Sequence, residues 1–379
     1  MTTTEVVIIG AGAVGCSTAY FMAREGAKVT IIERDSVASH ASGSAAGLLL
    51  PLSATEGRET LWPIVELSFR MHRDIGPRLE EESGVKLRSS MSSMLKVCLE
   101  RWEVDEAREV MEAQKDLEGF TSVWLDGDEV RRIEPRLTED VLGGCLAGPI
   151  GMVDAYSYTL ALAQAAERYG AVMRHGNATG MHAAGGRVRA VRVGQEDVAC
   201  DICVIAMGPW TGAAGEWLQT PVPVRPYKGE TVCLQGIAPK LPCSIKWRSS
   251  ITQKPDELLW VGSTREHGGF DDSVTTAARD QIMGSAVRLM PALMDVPIVR
   301  QVACFRPLTP DTLPIIDGEC GVDGVYIASG SGGHGILLSP AMGKAVADLV
   351  TGGATDVPVE PYRLDRFGGV MPDTWGDSI

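Results

Sequence analysis

Near its start the chain reads EVVIIGAGAVGCSTAYFMAREGAKVTIIER, and few folds accommodate that order. The apolar run at 5–10 suits a central strand covered on both faces of a parallel sheet. VGCSTAYFMARE keeps helical spacing and stops at Gly26, a residue that tolerates the left-handed conformation after a helix. AKVTIIE then gives a second buried strand ending at Glu33, which completes a strand, helix, strand unit.

At the first turn of that unit Gly10, Gly12 and Gly15 stand in G-x-G-x-x-G spacing. Gly10 permits the tight turn, Gly12 lets backbone approach a pyrophosphate, and Gly15 lets the helix lie close on the strand. Ala13 and Val14 open the helix, whose first N–H groups lack partners and attract an anion. Glu33 falls where a carboxylate binds ribose hydroxyls. Arg34 beside it suits a 2′-phosphate, but Glu33 would repel one, so NADP is disfavoured and FAD and NAD stay open.

Further along, helices are expected at 62–83, 102–117, 157–169 and 277–289, with SPAMGKAVADLV as a last helix. AVMRHG, ETVCLQG, ELLWVGST and GVYIASG read as strands. DVACDICVIAM reads as a single strand ending at Gly208; residues three apart on it face opposite sides, so Cys200 and Cys203 cannot readily share a metal or disulfide. The net charge of -14 opposes phosphate backbones and anionic lipid, so neither nucleic acid nor a membrane is an expected partner. MTTTEVVIIG lacks the basic region and apolar core of a secretion signal, and no apolar run approaches membrane-spanning length. With nine cysteines, an odd number, the expectation is a cytoplasmic protein with reduced thiols.

Six ordered segments carry a family resemblance: GAGAVG with IIER, ASGSAAGLL at 41–49, VIAMGPWTG at 204–212, PYKGE at 226–230, CFRPLTPDTLPIID at 304–317 and SGSGGHGILLSPAMG at 329–343. Together they resemble the D-amino-acid oxidase superfamily of flavoproteins, in its glycine oxidase and sarcosine oxidase branch, over nearly the whole chain. The resemblance implies FAD rather than NAD, which would not need the two later glycine-rich returns. It also implies an α/β architecture, with a discontinuous Rossmann-like FAD-binding domain and a substrate domain of antiparallel sheet and helices. The FAD-binding domain is expected from 1–85, 150–222 and 318–379, and the substrate domain from 86–149 and 223–317.

Residue roles follow from the same resemblance. Ser42, Ala45, Ala46 and Gly47 belong to a loop that passes the flavin, with Leu48 near the reactive ring. Ala178 touches adenine through its backbone, and Gly208 and Trp210 form a second turn on the cofactor side. Gly332, Gly333, His334, Gly335, Ile336 and Leu337 form the turn and helix start that hold the flavin pyrimidine, where a helix dipole stabilises the negative charge of reduced flavin. Arg306 matches the arginine that binds a substrate carboxylate through paired hydrogen bonds; Arg265 is the next candidate for that role, and His334 a candidate general base.

The implied reaction is oxidation of an amine alpha to a carboxylate, with hydride passing to flavin N5 and O2 reduced to H2O2. A dehydrogenase using a quinone or carrier is the nearest alternative, and a flavin domain that modifies tRNA is disfavoured by the acidic balance. The partners expected are a small amino acid or N-substituted glycine and O2, with a homo-oligomer allowed.

Three positions depart from the glycine oxidase pattern. A serine of RSSITQK, Ser249 or Ser250, stands in place of a tyrosine, Gly333 in place of an arginine, and Arg265 in place of a methionine. The first two changes remove bulk, which predicts an open pocket for an N-substituted glycine or amino acid larger than sarcosine, releasing glyoxylate and an amine. The alternative is that Trp247 or Arg265 refills the space. Cys304 aligns with a cysteine that holds flavin covalently in monomeric sarcosine oxidases, but its surroundings follow glycine oxidases, so non-covalent FAD is expected.

Overall fold

The computed structural model describes residues 4–56 and 59–376. Six strands form one sheet in the spatial order Ile315–Asp317, Val325–Ser329, Ile202–Ile205, Glu5–Ile9, Lys28–Glu33 and Val172–His175. All neighbours are parallel except the first two. The register sets Ile8 between Val204 and Ile31.

Side chains alternate across a strand, so each central strand feeds two cores. Val6, Ile8, Ile31 and Val204 pack with the helices Ala13–Arg24, Ala155–Arg168 and Gly335–Gly352. Val7, Ile9, Ile32 and Ile205 join the opposite core, shared with a small antiparallel sheet of Ala178–Ala184, Arg187–Val193 and Glu196–Ala199. This explains why VVII carries no polar residue, since burying each such side chain contributes roughly 1.5–3 kcal/mol. The first and last of the three helices touch backbone to backbone, for a Cβ added at Gly343 would stand 2.7 Å from the Cβ of Ser17. The Trp62–Ser83 helix packs across this layer, and Arg101–Gln114 and Thr276–Leu289 also fall within a few residues of expectation.

The run expected as a single strand ending at Gly208 is divided between two sheets. Glu196–Ala199 pairs within the small sheet, Ile202–Ile205 within the parallel one, and Cys200 and Asp201 form the corner between them. Asp201 fixes that corner, because its N–H donates to the Glu5 carbonyl at 2.9 Å while its carboxylate accepts the Glu5 N–H at 3.1 Å. The strand propensity was genuine, but a backbone clamp cut the run in two. The argument that the two cysteines sit on opposite faces of one strand therefore does not apply; both are buried free thiols.

A second sheet follows the path Ile298–Leu308, Arg225–Leu234, Leu259–Gly262, Ser250–Gln253, Ser244–Lys246, Ser90–Cys98, Gly143–Met152 and Leu48–Leu49, with Thr121–Asp126 pairing alongside Gly143–Met152. It is mixed rather than purely antiparallel, since Ser244–Lys246 runs parallel to Ser90–Cys98. Parallel neighbours need a long crossover, and here the connection passes through the other sheets before returning. Leu95, Val232, Ile245, Ile251 and Val261 face a core closed by the Thr276–Leu289 helix. Thr231, Ser250, Thr252 and Gly262 face the other way, toward the first layer. Among the described residues no helix is long and apolar enough to cross a membrane, and no His, Cys, Asp and Glu group is arranged to hold a metal.

Candidate functional site

A cavity of about 600 Å³ opens between the carboxyl ends of the parallel strands and the near face of the second sheet. That is where open α/β sheets bind ligands. At one end lies the glycine turn. Gly10 has φ of +109°, and a Cβ there would run into the Ala206 carbonyl; at Gly15 it would run into the carbonyl of Gly10. A Cβ at Gly12 would instead meet only Ser42 Oγ, at 3.2 Å. Gly10 and Gly15 thus serve the fold, whereas Gly12 leaves bare backbone toward the cavity.

Polar groups bordering this end are already ordered. Glu33 accepts the N–H of Ala11 at 2.8 Å through one oxygen and that of Asp35 at 2.9 Å through the other. Ser42 Oγ accepts the N–H of Ala13 at 2.9 Å. Arg34 donates to Asp35 at 3.1 Å and lies 4.0 Å over the Trp210 ring, so the cation considered for a 2′-phosphate is engaged elsewhere. Trp210 in turn stacks on Phe270, with ring centroids 5.1 Å apart. The Gly208 carbonyl beside it accepts from Thr211 Oγ1 at 2.7 Å and Ser329 Oγ at 3.0 Å.

A second helix start enters through Gly332, at φ of +54°, and the Gly335–Gly352 helix. Pro340 has no N–H, so the Ile336 carbonyl loses its helical donor. Ser339 Oγ of the same helix donates to it at 2.9 Å, and the Trp62–Ser83 helix supplies further donors. His72 Nε2 donates to the carbonyl of Ile336 at 2.9 Å and lies 3.2 Å from that of Leu337. Ser68 Oγ donates to Leu337 at 2.7 Å and accepts the Ala341 N–H at 3.2 Å. Burial pushes the His72 pKa down to about 4, which keeps the ring neutral.

At the opposite end Arg306 lies across its own sheet. Its guanidinium donates to Ser263 Oγ at 2.5 Å and to the carbonyls of Thr264 at 3.1 Å and Lys228 at 3.4 Å. A side chain at Gly229 would run into it. All three acceptors are uncharged, and among the described residues no carboxylate pairs with this cation. Burial lowers its pKa, and Arg265 adds to that. Thr264 is itself held in place: its N–H donates to the Glu230 carbonyl at 3.1 Å, and its hydroxyl accepts the Glu230 N–H at 3.0 Å. The fully buried Glu230 carboxylate accepts the N–H of Thr275 at 3.0 Å and the Gln301 amide at 2.6 Å, with the Lys228 ammonium 3.4 Å away.

The cavity brings together Gly10, Gly12, Ala13, Val14, Glu33, Arg34, Ser42, Ala45, Ala46, Ala178, Gly208, Trp210, Arg306, Gly332, Gly333, Gly335 and Ile336. Gly15, Gly47, Leu48, Arg265, His334 and Leu337 lie outside its lining. Of these, Gly47 is pressed against the Val153 carbonyl and Leu48 pairs with Met152 at the sheet edge. Of the two serines considered, Ser250 borders the cavity and donates to the Gly262 carbonyl at 3.0 Å, while Ser249 accepts from Ser285 at 2.8 Å. Trp247 does not refill the space, because its indole N–H donates to Glu103 at 2.8 Å inside the far core. Cys304 borders the cavity, and burial pushes its thiol pKa up. Thr231, Thr252, Trp260 and Ser263 were missed; alternation along their strands could have found the first three, but Ser263 follows the end of its strand.

An elongated ligand with a central diphosphate suits the glycine end, where bare backbone, two helix starts and a carboxylate converge. Comparison with known proteins agrees. The family model DAO, FAD dependent oxidoreductase, matches residues 5–349. Glycine oxidase of Geobacillus kaustophilus is 27% identical over 368 residues, covering 96% of this chain and 97% of that protein. A crystal structure of glycine oxidase from that species superposes with a TM-score of 0.91 at 27% identity, over 96% of this chain and 99% of that one. Iminodiacetate oxidase from Chelativorans sp. BNC1 is similar with a TM-score of 0.86 at 26% identity, over 94% and 98%. L-proline dehydrogenase from P. horikoshii is similar with a TM-score of 0.87 at 25% identity, over 98% and 99%.

Proposed function

The chain belongs to the DAO family of FAD-dependent oxidoreductases, and within it we propose oxidation of an N-substituted glycine or small amino acid at the carbon between nitrogen and carboxylate. FAD is the cofactor the family implies, and when bound it supplies the acceptor for two electrons. Gly12 and the helix starts at Ala13 and Gly335 would hold it, with Glu33 toward its ribose.

The observation that carries this reading is the Arg306 guanidinium, half-buried beside the cavity with only neutral acceptors. A carboxylate offers two oxygens to its planar donors and supplies the missing charge. The anchored carboxylate fixes how the substrate lies, and orientation is the main contribution a protein can make when the cofactor carries the chemistry. The His334 backbone N–H is already bonded to the Ser331 carbonyl at 3.0 Å, which holds the turn before the Gly335–Gly352 helix. Ser250 and Gly333 leave room on the cavity for an N-substituent. An imine formed on the glycine carbon hydrolyses to glyoxylate and the substituent amine.

O2 is the proposed final acceptor, as the likeness to glycine oxidases supports. A quinone or carrier is the second reading, supported by the likeness to L-proline dehydrogenase. FAD is proposed to be non-covalent, so acid precipitation should leave the yellow colour in the supernatant. The deciding experiment is a peroxide-coupled screen of glycine, sarcosine, longer N-alkylglycines and D-amino acids. We expect kcat/KM to rise with the length of the N-alkyl group. A maximum at sarcosine with steep decline would refute the open pocket, turnover with an artificial acceptor but no peroxide would select the dehydrogenase, and no turnover of any amine would sink the reading.

A further inference from the structure

Two layers bound the cavity, and a cluster of three rings joins them. Trp210 follows the parallel-sheet strand Ile202–Ile205 and borders the cavity. Phe305 belongs to the second sheet and stands between Cys304 and Arg306, which border the cavity from that side. Phe270 touches both rings. It stacks on Trp210 with centroids 5.1 Å apart and planes 11° from parallel, and it meets Phe305 edge-on at 5.5 Å. Without it the other two meet only edge-on, at 6.4 Å.

Phe270 comes from the loop 263–275, between the strand Leu259–Gly262 and the helix Thr276–Leu289. Both ends of that loop are tied to the strand Arg225–Leu234. At its start Thr264 and Glu230 exchange the two bonds described above, and Glu266 and Lys228 exchange backbone bonds at 2.9 and 3.0 Å. At its end the Lys228 ammonium donates to the Ser273 carbonyl, and the Glu230 carboxylate accepts the Thr275 N–H at 3.0 Å. The tip is loose by contrast. A Cβ added at Gly268 or Gly269 would meet nothing within 4 Å, and Gly269 has φ of +64°. Phe270 follows directly and is 49% exposed. A half-exposed ring carried by a glycine pair can leave its partner while the tied ends stay in place.

The ring it stacks on belongs to the cofactor end. Arg34 lies 4.0 Å over Trp210 and the His40 ring 4.7 Å from it. These two residues follow Glu33 and precede Ser42, the side chains pinned beside the glycine turn.

We infer that Phe270 is a latch for the cofactor: by holding Trp210 to the second sheet it closes the seam between the layers and slows the escape of bound FAD. It is a positioning residue that acts through Trp210. The inference rests on the non-covalent FAD proposed above, which acid precipitation tests separately, and is independent of which amine is oxidised.

The test follows release of FAD from the diluted holoenzyme by the rise in flavin fluorescence. Phe270→Ala should release it about 5-fold faster than the wild type, the size of one aromatic pair. Phe270→Tyr keeps the stack and should release it at the wild-type rate. The melting temperature of the FAD-free chain should be the same in all three, which separates a latch from a general loss of stability. In the wild-type protein alone, amide hydrogen exchange across 267–272 should slow about 5-fold on FAD binding. An unchanged release rate in Phe270→Ala would overturn the latch, as would a lower melting temperature of its FAD-free chain. Exchange at 267–272 that ignores FAD would overturn it even if the variants misfold. A change confined to KM for the amine, with FAD release untouched, would overturn it in favour of a gate for substrate.

Discussion

The two ends of the cavity are built from different materials. The glycine end is built chiefly of backbone, with the Glu33 and Ser42 side chains pinned against it: a turn at Gly10, bare main chain at Gly12, and the N–H groups of two helices. The Arg306 end consists of side chains drawn from strands whose sequence positions lie far apart, arranged by the register of one sheet. A backbone site leaves little freedom to residue choice, so it accepts one kind of group. A side-chain site on a fixed sheet can change its ligand by exchanging single residues, as Ser250 illustrates.

The sharpest way to break this contrast is at Gly12. Gly12→Val should abolish flavin binding and yield a colourless protein, because a Cβ there meets only Ser42 within the protein and the branched side chain beyond it would take up ligand space. Its far-UV circular dichroism should match the wild type, whereas Gly10→Val should fail to fold, for its side chain would strike the Ala206 carbonyl at a positive φ. A yellow Gly12→Val protein would refute the division of labour. At the other end Arg306→Ala should keep its flavin and lose at least ~100-fold in kcat/KM, equivalent to about 3 kcal/mol. Unchanged kinetics would move the carboxylate anchor elsewhere.

The smallest expected effect comes from His72, behind the backbone-built end. Its folded pKa of about 4 lies below the ordinary value of 6.5, so between these the unfolded chain binds a proton that the folded one does not. Stability from this group is complete above pH ~6.5 and is lost as pH falls toward ~4. The melting temperature should drop over that window, and His72→Asn should flatten the slope by up to one proton. An identical pH slope in the variant would show that the neutral ring does not contribute.

Legibility in the sequence followed the same division. The Gly10 turn, the first helix and Glu33 could be read directly because every residue involved lies within about thirty positions of the others. Arg306 was legible only through its family segment, and the serine choice stayed open because one residue of register exchanges the faces of a strand. The mixed pairing of Ser244–Lys246 with Ser90–Cys98 and the corner at Asp201 were hidden for the same reason: both are set by contacts between distant segments. Ser68 and His72 likewise act on carbonyls more than two hundred and sixty positions away.

That last dependence limits how the molecule can be recombined. Pro340 strips a donor from its own helix; Ser339 of that helix restores one, and Ser68 and His72 of an early helix add more, so the C-terminal segment gains its full set of partners only against that early helix. A chimera that imported 318–379 from a relative without matching positions 68 and 72 would lose the contacts those side chains make to the Ile336 and Leu337 carbonyls and to the Ala341 N–H. Across descendants of this chain, positions 68 and 72 should therefore change together with the first turn of the C-terminal helix rather than independently of it.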